Sequence, residues 1–134
     1  MVTLYDLGIS ISFVVGNSKI SVENVAESEK DYDSNELTTI LFREYENVSL
    51  EFTSMSDKDR IYFDGIDLLP AELCEIDDAG DLYLNPQKDG TIYPLFEYSS
   101  EYYAMRVGKY ELKIYHDGII YYQWFTVLPK NINS

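Results

Sequence analysis

The sequence offers few side chains for nucleophilic or acid–base catalysis. His116 is the only histidine and Cys74 the only cysteine. No serine, cysteine or second histidine stands beside His116, so a nucleophile–histidine pair would require the fold to bring distant residues together. Acidic neighbours such as Glu75 are expected to raise the pKa of the Cys74 thiol and weaken it as a nucleophile, which favours a small buried apolar role for this residue. We therefore predict no catalytic residues and no enzyme activity.

Carboxylates are abundant but carry no recognisable site pattern. Asp77, Asp78 and Asp81 could offer oxygen ligands to Ca²⁺, but they lack the alternate spacing, central glycine and distal glutamate of an EF-hand loop. They are therefore interpreted as polar turn residues. Paired carboxylates for glycoside hydrolysis cannot be recognised among 24 acidic residues, because any two of them could meet. The glycines occur singly and form no phosphate-binding loop. No metal and no cofactor is predicted.

Net charge narrows the classes of partner. The chain has 134 residues, with 10 Lys and Arg against 24 Asp and Glu, which gives a net charge of −14. Such a balance argues against direct nucleic-acid binding and against docking on anionic lipid. The 46% hydrophobic content excludes a disordered acidic tail. No apolar run approaches the roughly 20 residues that span a bilayer, and the start at Met1–Asp6 does not look like a secretory signal. We expect a cytoplasmic protein, or one in the host cytoplasm if a phage encodes it; a mature secreted or virion protein stays open as the alternative.

Short runs of β-branched and aromatic residues dominate the chain, and turn residues separate them. Helix signals are weak: one turn from Pro70 to Cys74, and a polar segment from Glu23 to Glu36 that is predicted to be a solvated loop. Eight or nine strands with turns about every ten residues predict an all-β protein, a single antiparallel β-sandwich over residues 1–134 with about 5–10% helix. Ten runs are candidates for these strands: 9–15, 18–25, 37–42, 48–53, 60–64, 81–85, 92–98, 102–106, 109–116 and 119–127.

Two hairpins are predicted from their turns. Gly16-Asn17 joins Ile9–Val15 to Ser18–Val25, which adds an N-terminal hairpin to one sheet. Asp117-Gly118 joins two strongly β-prone runs, and Asp-Gly in that setting is the strongest short-range hairpin signal. A two-residue loop there pairs His116 with Ile119 and, further along, Tyr110 with Phe125.

Strict alternation divides this closing hairpin into two faces. The face interpreted as the core side carries Tyr110, Leu112, Ile114, Ile119, Tyr121, Phe125 and Val127. The opposite face carries the predicted binding residues, which are Glu111, Lys113, Tyr115, Ile120, Tyr122 and Trp124. Aromatic side chains among charged neighbours are typical of an interface centre, with Trp and Tyr as anchors. The alternative is that the N-terminal segment or a long loop covers this face.

The closing hairpin resembles that of immunoglobulin-like bacterial and phage β-sandwich domains. The likeness rests on Gly108-Lys109-Tyr110, on the Asp117-Gly118 turn and on Phe125-Thr126-Val127, and it covers about residues 91–130. It implies an immunoglobulin-like sandwich in which Tyr110 is a corner tyrosine whose hydroxyl binds a nearby backbone group. The Cys–Trp–Cys set of antibody domains is missing, and the resemblance implies no particular function.

A weaker likeness runs from Ile114 through Asp117-Gly118 to Val127-Leu128-Pro129 and Ile132. This stretch is similar to the β-rich N-terminal region of nuclease-associated proteins in modification-dependent (McrBC-type) restriction systems. The resemblance implies a module of a restriction or defence system and transfers no catalytic residue.

The favoured function is a non-enzymatic acidic protein-binding module, either an assembly component or a soluble inhibitor. Its partner is a protein, and the negative charge would suit a basic one. The other interpretation of the acidic excess is a solvated surface that keeps the protein soluble. Three alternatives stay open: an acidic nucleic-acid mimic or anti-defence inhibitor that blocks a basic nucleic-acid-binding protein, a glycan-binding β-sandwich, and a module of a restriction system. The sequence does not give the oligomeric state.

Overall fold

A computed structural model describes residues 1–32, 34, 36–64, 74–88, 92–96 and 106–130. The described part contains strands and two short 3₁₀ helices, at Tyr5–Leu7 and Glu29–Asp31. The all-β prediction is confirmed. The strands are β1 Val2–Thr3, β2 Ile9–Val15, β3 Ser18–Ser21, β4 Asn24–Val25, β5 Ile40–Arg43, β6 Val48–Ser54, β7 Arg60–Asp64, β8 Glu75–Ile76, β9 Leu82–Leu84, β10 Ile92–Phe96, β11 Gly108–His116 and β12 Ile119–Leu128.

The predicted N-terminal hairpin forms the edge of a four-stranded antiparallel sheet with the strand order β10-β6-β2-β3. Gly16 has a φ of 57°, a left-handed conformation that glycine adopts without steric penalty, and Val15 pairs with Ser18 on either side of the turn. The chain leaves β3 at Ser21 and forms β4, which pairs with β1 in a separate two-stranded sheet.

The closing hairpin lies inside a six-stranded sheet with the order β5-β12-β11-β7-β9-β8. Asp117 and Gly118 both have positive φ, 51° and 81°, as a type I′ turn requires. Every predicted pair of this hairpin is present, from His116–Ile119 to Tyr110–Phe125. Neighbouring strands in the two large sheets run antiparallel, except that β5 runs parallel to β12.

The two large sheets pack face to face around phenylalanine rings. The ring of Phe13 on β2 lies 5.3 Å from that of Phe42 on β5 and 5.6 Å from that of Phe125 on β12. Phe96 on β10 also contacts Phe125, at 6.2 Å. These edge-to-face contacts cross from one sheet to the other, and aliphatic side chains such as Leu50 fill the space around them. This layer fixes which face of the six-stranded sheet remains outside.

The core side of the closing hairpin differs from the prediction at two positions. Ile119 is 50% exposed, because it lies at the hairpin tip beyond the last pair that β7 makes with β11. Gln123 is buried on the core side. Its side chain donates to the Asn24 carbonyl and accepts from the Trp124 amide, both at 2.8 Å. Gln123 therefore satisfies two backbone groups, and it lies on the stretch of β12 between Tyr122, which pairs with Ala26, and Phe125, where the pairing with β5 begins.

Other predicted elements have shifted bounds or fall outside the described residues. The strand predicted from Leu37 begins at Ile40. The strand at 102–106 and most of the helical turn at 70–74 lie outside the described residues. The Tyr110 hydroxyl donates to the Arg106 carbonyl, which is the type of backbone contact expected of it. A relationship to immunoglobulin-like domains stays a prediction.

Candidate binding face

The face of the six-stranded sheet that points away from the core is called the outer face. Strand register aligns three rows of its residues across the sheet. The middle row is Tyr122, Lys113, Tyr62 and Tyr83, flanked on one side by Ile120, Tyr115 and Arg60 and on the other by Trp124 and Glu111. All six predicted binding residues belong to these rows, and β7 and β9 extend the surface with further tyrosines and an arginine.

One end of the outer face is partly covered around Trp124. The indole Nε1 donates to Glu111 Oε2 at 2.8 Å, and Tyr122 stacks nearly parallel to the indole with 6.1 Å between ring centres. Tyr32, from the polar segment that follows β4, contacts the indole edge-to-face at 5.3 Å, and the Lys109 ammonium lies over the Tyr32 ring. Trp124 is therefore half-buried and held on several sides, so this end is a packed part of the face.

The other end of the outer face is open and forms a groove of about 510 Å³. The β8–β9 turn and β9 form one wall, and β7, β11 and β12 provide the rest. Ile120, Leu82 and Tyr115 are 43%, 41% and 36% exposed, so apolar surface is accessible to a partner here. The residues that line the groove are Tyr62, Phe63, Asp77, Gly80, Asp81, Leu82, Lys113, Tyr115 and Ile120.

The side chain of Asp77 holds the β8–β9 turn in place. Its Oδ1 accepts from the amides of Ala79 at 3.0 Å and Asp81 at 2.8 Å, and its Oδ2 accepts from the Tyr62 hydroxyl at 3.1 Å. The hydrogen bond from the Asp81 amide is the main reason why the pKa of Asp77 lies below its ordinary 3.8. The predicted turn role of Asp77 agrees with these contacts, which also fix the groove wall to β7.

Both cations of the groove region already have partners within the chain. The Arg60 guanidinium lies 4.3 Å from the centre of the Tyr83 ring, and its hydrogen bond with Tyr62 raises its pKa. Lys113 Nζ lies 3.8 Å from Glu111 Oε1. By contrast, the exposed Asp81 carboxylate makes no hydrogen bond or ion pair with any residue that the structure describes. Of the charged side chains that line the groove, Asp77 and Asp81 are carboxylates and Lys113 is a cation, so one negative charge is left over.

A second polar cluster lies at the end of the sandwich near the hairpin tip. The Asp59 carboxylate is 1% exposed; its Oδ2 accepts from the Ser54 hydroxyl, and its Oδ1 lies 2.7 Å from His116 Nδ1. The three residues join β6, the β6–β7 loop and β11, and so link the two large sheets. The aspartate stands between the serine and the histidine. In a nucleophilic triad the histidine must occupy that central position to take the serine proton, so the order of these three side chains is not that of a triad.

Cys74 and the acidic residues were also considered as candidate site residues. Burial raises the pKa of the half-buried Cys74 thiol, which packs against the core. In the described part of the chain, no three His, Cys, Asp or Glu side chains lie close enough together to hold a metal ion. None of the helices found there is long and apolar enough to cross a membrane.

The structure separates the predicted binding residues into two groups. Tyr115, Ile120 and Lys113 line the groove, whereas Trp124, Tyr122 and Glu111 form the packed end under Tyr32. The alternative of a covering segment therefore applies to the Trp124 end. No local pattern in the sequence predicts that Tyr62, Tyr83 and Arg60 belong to this face, because their place in the sheet depends on long-range strand pairing.

Comparison of the chain with models of known protein families, with curated proteins and with solved structures gives no match.

Proposed function

We propose that this chain is a non-enzymatic acidic module that binds a protein partner through the open end of its outer face. The observation that carries the proposal is the groove, where exposed Tyr115, Ile120 and Leu82 stand beside a polar rim on a rigid sheet. Tyrosine and apolar side chains of this kind supply contact area at low entropic cost, and a polar rim is typical of protein interfaces.

The rigidity of the groove supports a binding role. Lys113, Tyr115 and Ile120 project from the longest hairpin of the described chain, whose nine pairs run without a break. Asp77 and Tyr62 fix the opposite wall. A surface held in this way loses little conformational entropy when a partner binds, so more of the contact energy appears as affinity.

The chemistry of the candidate catalytic residues supports the non-enzymatic part of the proposal. The carboxylate of Asp59 occupies the centre of the Ser54–Asp59–His116 cluster, so His116 does not contact the serine as a base would. Burial keeps the Cys74 thiol in its protonated form, which is the poorer nucleophile.

Adjacent residues at the tip of the closing hairpin provide a matched test. Ile119 and Ile120 are 50% and 43% exposed, respectively, but strand alternation directs them to opposite faces of the hairpin. The intact tagged chain is used to isolate a protein partner from its source cells, and the affinity of that purified partner is then measured for each variant. Ile120→Lys is expected to weaken binding at least about tenfold, because the interface would bury an unpaired cation, while Ile119→Lys leaves it within about twofold. Equal affinity of the two variants would overturn the assignment.

A glycan-binding function is the second candidate, favoured by a separate concavity of about 340 Å³ beside Trp124. Hydroxyl side chains of Thr38, Thr39 and Thr126 line it, and together with an indole they match the mixture of ring surface and hydrogen-bonding groups in ligand pockets. Titration with neutral oligosaccharides, followed by the fluorescence of Trp124, tests this candidate. A saturable change that Thr126→Val abolishes supports it, and no change at millimolar sugar rejects it.

A further inference from the structure

We infer that the groove recognises a basic segment of the partner, whose lysine or arginine side chains lie along the groove that Tyr115 and Asp81 both line. The inference rests on the proposed protein-binding function and names the chemistry of the partner. Two features carry it: the charged side chains around the groove, and the exposed tyrosine ring inside the groove.

The groove rim has carboxylates that no cation of the described chain neutralises. Glu75, Asp78 and Asp81 are all exposed on the β8–β9 hairpin, and none of them makes an ion pair with another described residue. Arg60 already lies over the Tyr83 ring and contributes to the lowered pKa of Asp77, and Lys113 lies beside Glu111. A cationic guest would therefore meet unpaired negative charge rather than compete with an existing ion pair.

The ring surface of the groove is suited to the same guest. Three cations of this chain already lie over tyrosine rings: Arg60 over Tyr83, Lys109 over Tyr32 and Lys130 over Tyr45. Tyr115 is 36% exposed at the groove, where its ring can receive a cation from another chain in the same manner. The aliphatic part of a lysine or arginine would pack on Ile120, because long basic side chains lay their stems along apolar surface.

Charge complementarity selects a basic protein over other occupants of this groove. A second copy of the chain carries the same net charge of −14 and would place like charges together. A wholly apolar segment would leave the Asp78 and Asp81 carboxylates beside it without compensation. A segment in which basic and apolar residues alternate satisfies both the carboxylates and the exposed surface of Ile120 and Leu82.

The test uses a fluorescein-labelled octapeptide of alternating lysine and leucine, with a glutamine–leucine peptide as the neutral control. Binding is followed by fluorescence anisotropy, and its place by amide chemical-shift changes in the full chain. The lysine peptide is expected to shift amides of β7, of β11 and of the β8–β9 turn. Its affinity is expected to fall several-fold between about 50 and 300 mM salt, because salt screens exposed charges. The glutamine peptide should bind at least about fivefold more weakly.

Two double variants with the same change in net charge distinguish binding at the groove from binding to acidic surface elsewhere on the chain. Asp78→Asn with Asp81→Asn changes the groove rim, whereas Glu27→Gln with Glu29→Gln makes the same charge change on the exposed segment after β4. The first pair is expected to weaken the lysine peptide about three- to tenfold, and the second less than twofold. Tyr115→Leu should also weaken it, since the apolar surface remains but the ring is lost.

The inference would be overturned if the two double variants lost equal affinity for the lysine peptide. It would also be overturned if the peptide shifted amides throughout the segment after β4. Equal binding of the lysine and glutamine peptides would also overturn it. If the groove instead binds its isolated partner through Ile120 without dependence on Asp78, Asp81 or salt, the proposed binding function stands while the basic-segment inference fails. The two results are therefore distinguishable.

Discussion

The indole Nε1 of Trp124 donates a hydrogen bond to Oε2 of Glu111 directly across the β11–β12 pair, at 2.8 Å. The other oxygen of the same carboxylate lies 3.8 Å from Lys113 Nζ. Glu111 thus connects the packed, Trp124 end of the outer face to the lysine that lines the groove. Through this one side chain, the aromatic cluster and the groove belong to a continuous surface.

Removing the Glu111 carboxylate should lower the free energy of unfolding by about 1–2 kcal/mol. The loss in Glu111→Ala comes from the hydrogen bond to Trp124 in a half-buried setting, and hydrogen bonds to charged groups are among the stronger ones. Glu111→Gln retains an acceptor and should lose less than half as much. Urea denaturation followed by the Trp124 emission measures both. The control is Glu51→Ala, which breaks a more exposed ion pair with Lys19 and should change stability by about 0–1 kcal/mol. Equal losses for Glu111→Ala and Glu51→Ala would contradict the role given to the indole contact.

The buried Asp59 should matter far more for stability than its exposed neighbour Asp57. Asp59→Ala leaves the His116 ring and the Ser54 hydroxyl without their common partner at the junction of the two sheets. Loss of this buried carboxylate and its two hydrogen bonds is expected to lower the unfolding free energy by about 3 kcal/mol. Asp57→Ala, at an exposed turn position, should change it by less than about 0.5 kcal/mol. A loss below about 1 kcal/mol for Asp59→Ala would show that the cluster does not hold the sheets together.

Stability should depend on pH through Asp77. Its folded pKa lies below the ordinary 3.8, mainly because its carboxylate accepts the Asp81 amide. A lowered folded pKa stabilises the folded state above the unfolded pKa, and this contribution is lost as pH falls through the folded value. The difference in unfolding free energy between the native chain and Asp77→Asn should therefore be constant above about pH 5 and shrink below about pH 4. Carboxyl NMR titration of Asp77 gives the folded pKa directly. A midpoint at or above 3.8 would contradict the contacts assigned to the turn.

Local chemistry determined the parts of the fold that the sequence predicts well. Asp117-Gly118 specifies a two-residue loop by its positive φ angles, so all nine pairs of the closing hairpin follow by counting from the turn. Gly16 does the same for the N-terminal hairpin. Strand alternation then predicts which side chains of the hairpin face the core. Ile119 is the exception, because it lies beyond the last pair between β7 and β11.

Long-range pairing explains what the sequence could not show. His116 and Asp59 are 57 positions apart and meet because β7 pairs with β11. Tyr62 meets Asp77 through the pairing of β7 with β9, although the turn role of Asp77 itself was predictable from the Asp–Gly pattern around it. The parallel pairing of β5 with β12 and the contact of Tyr32 with Trp124 likewise depend on the path of a polar segment that carries no periodic pattern.

Site-specific photocross-linking tests most directly whether the groove is the partner-binding surface. Benzoylphenylalanine is introduced at position 120, which lines the groove, and separately at position 119, which lies next to it in the chain but faces the other side of the hairpin. With the isolated protein partner present, we expect a covalent adduct from position 120, little or none from position 119, and cross-linked partner peptides that contain lysine or arginine. Equal adducts from both positions, or adducts from position 119 alone, would contradict this expectation.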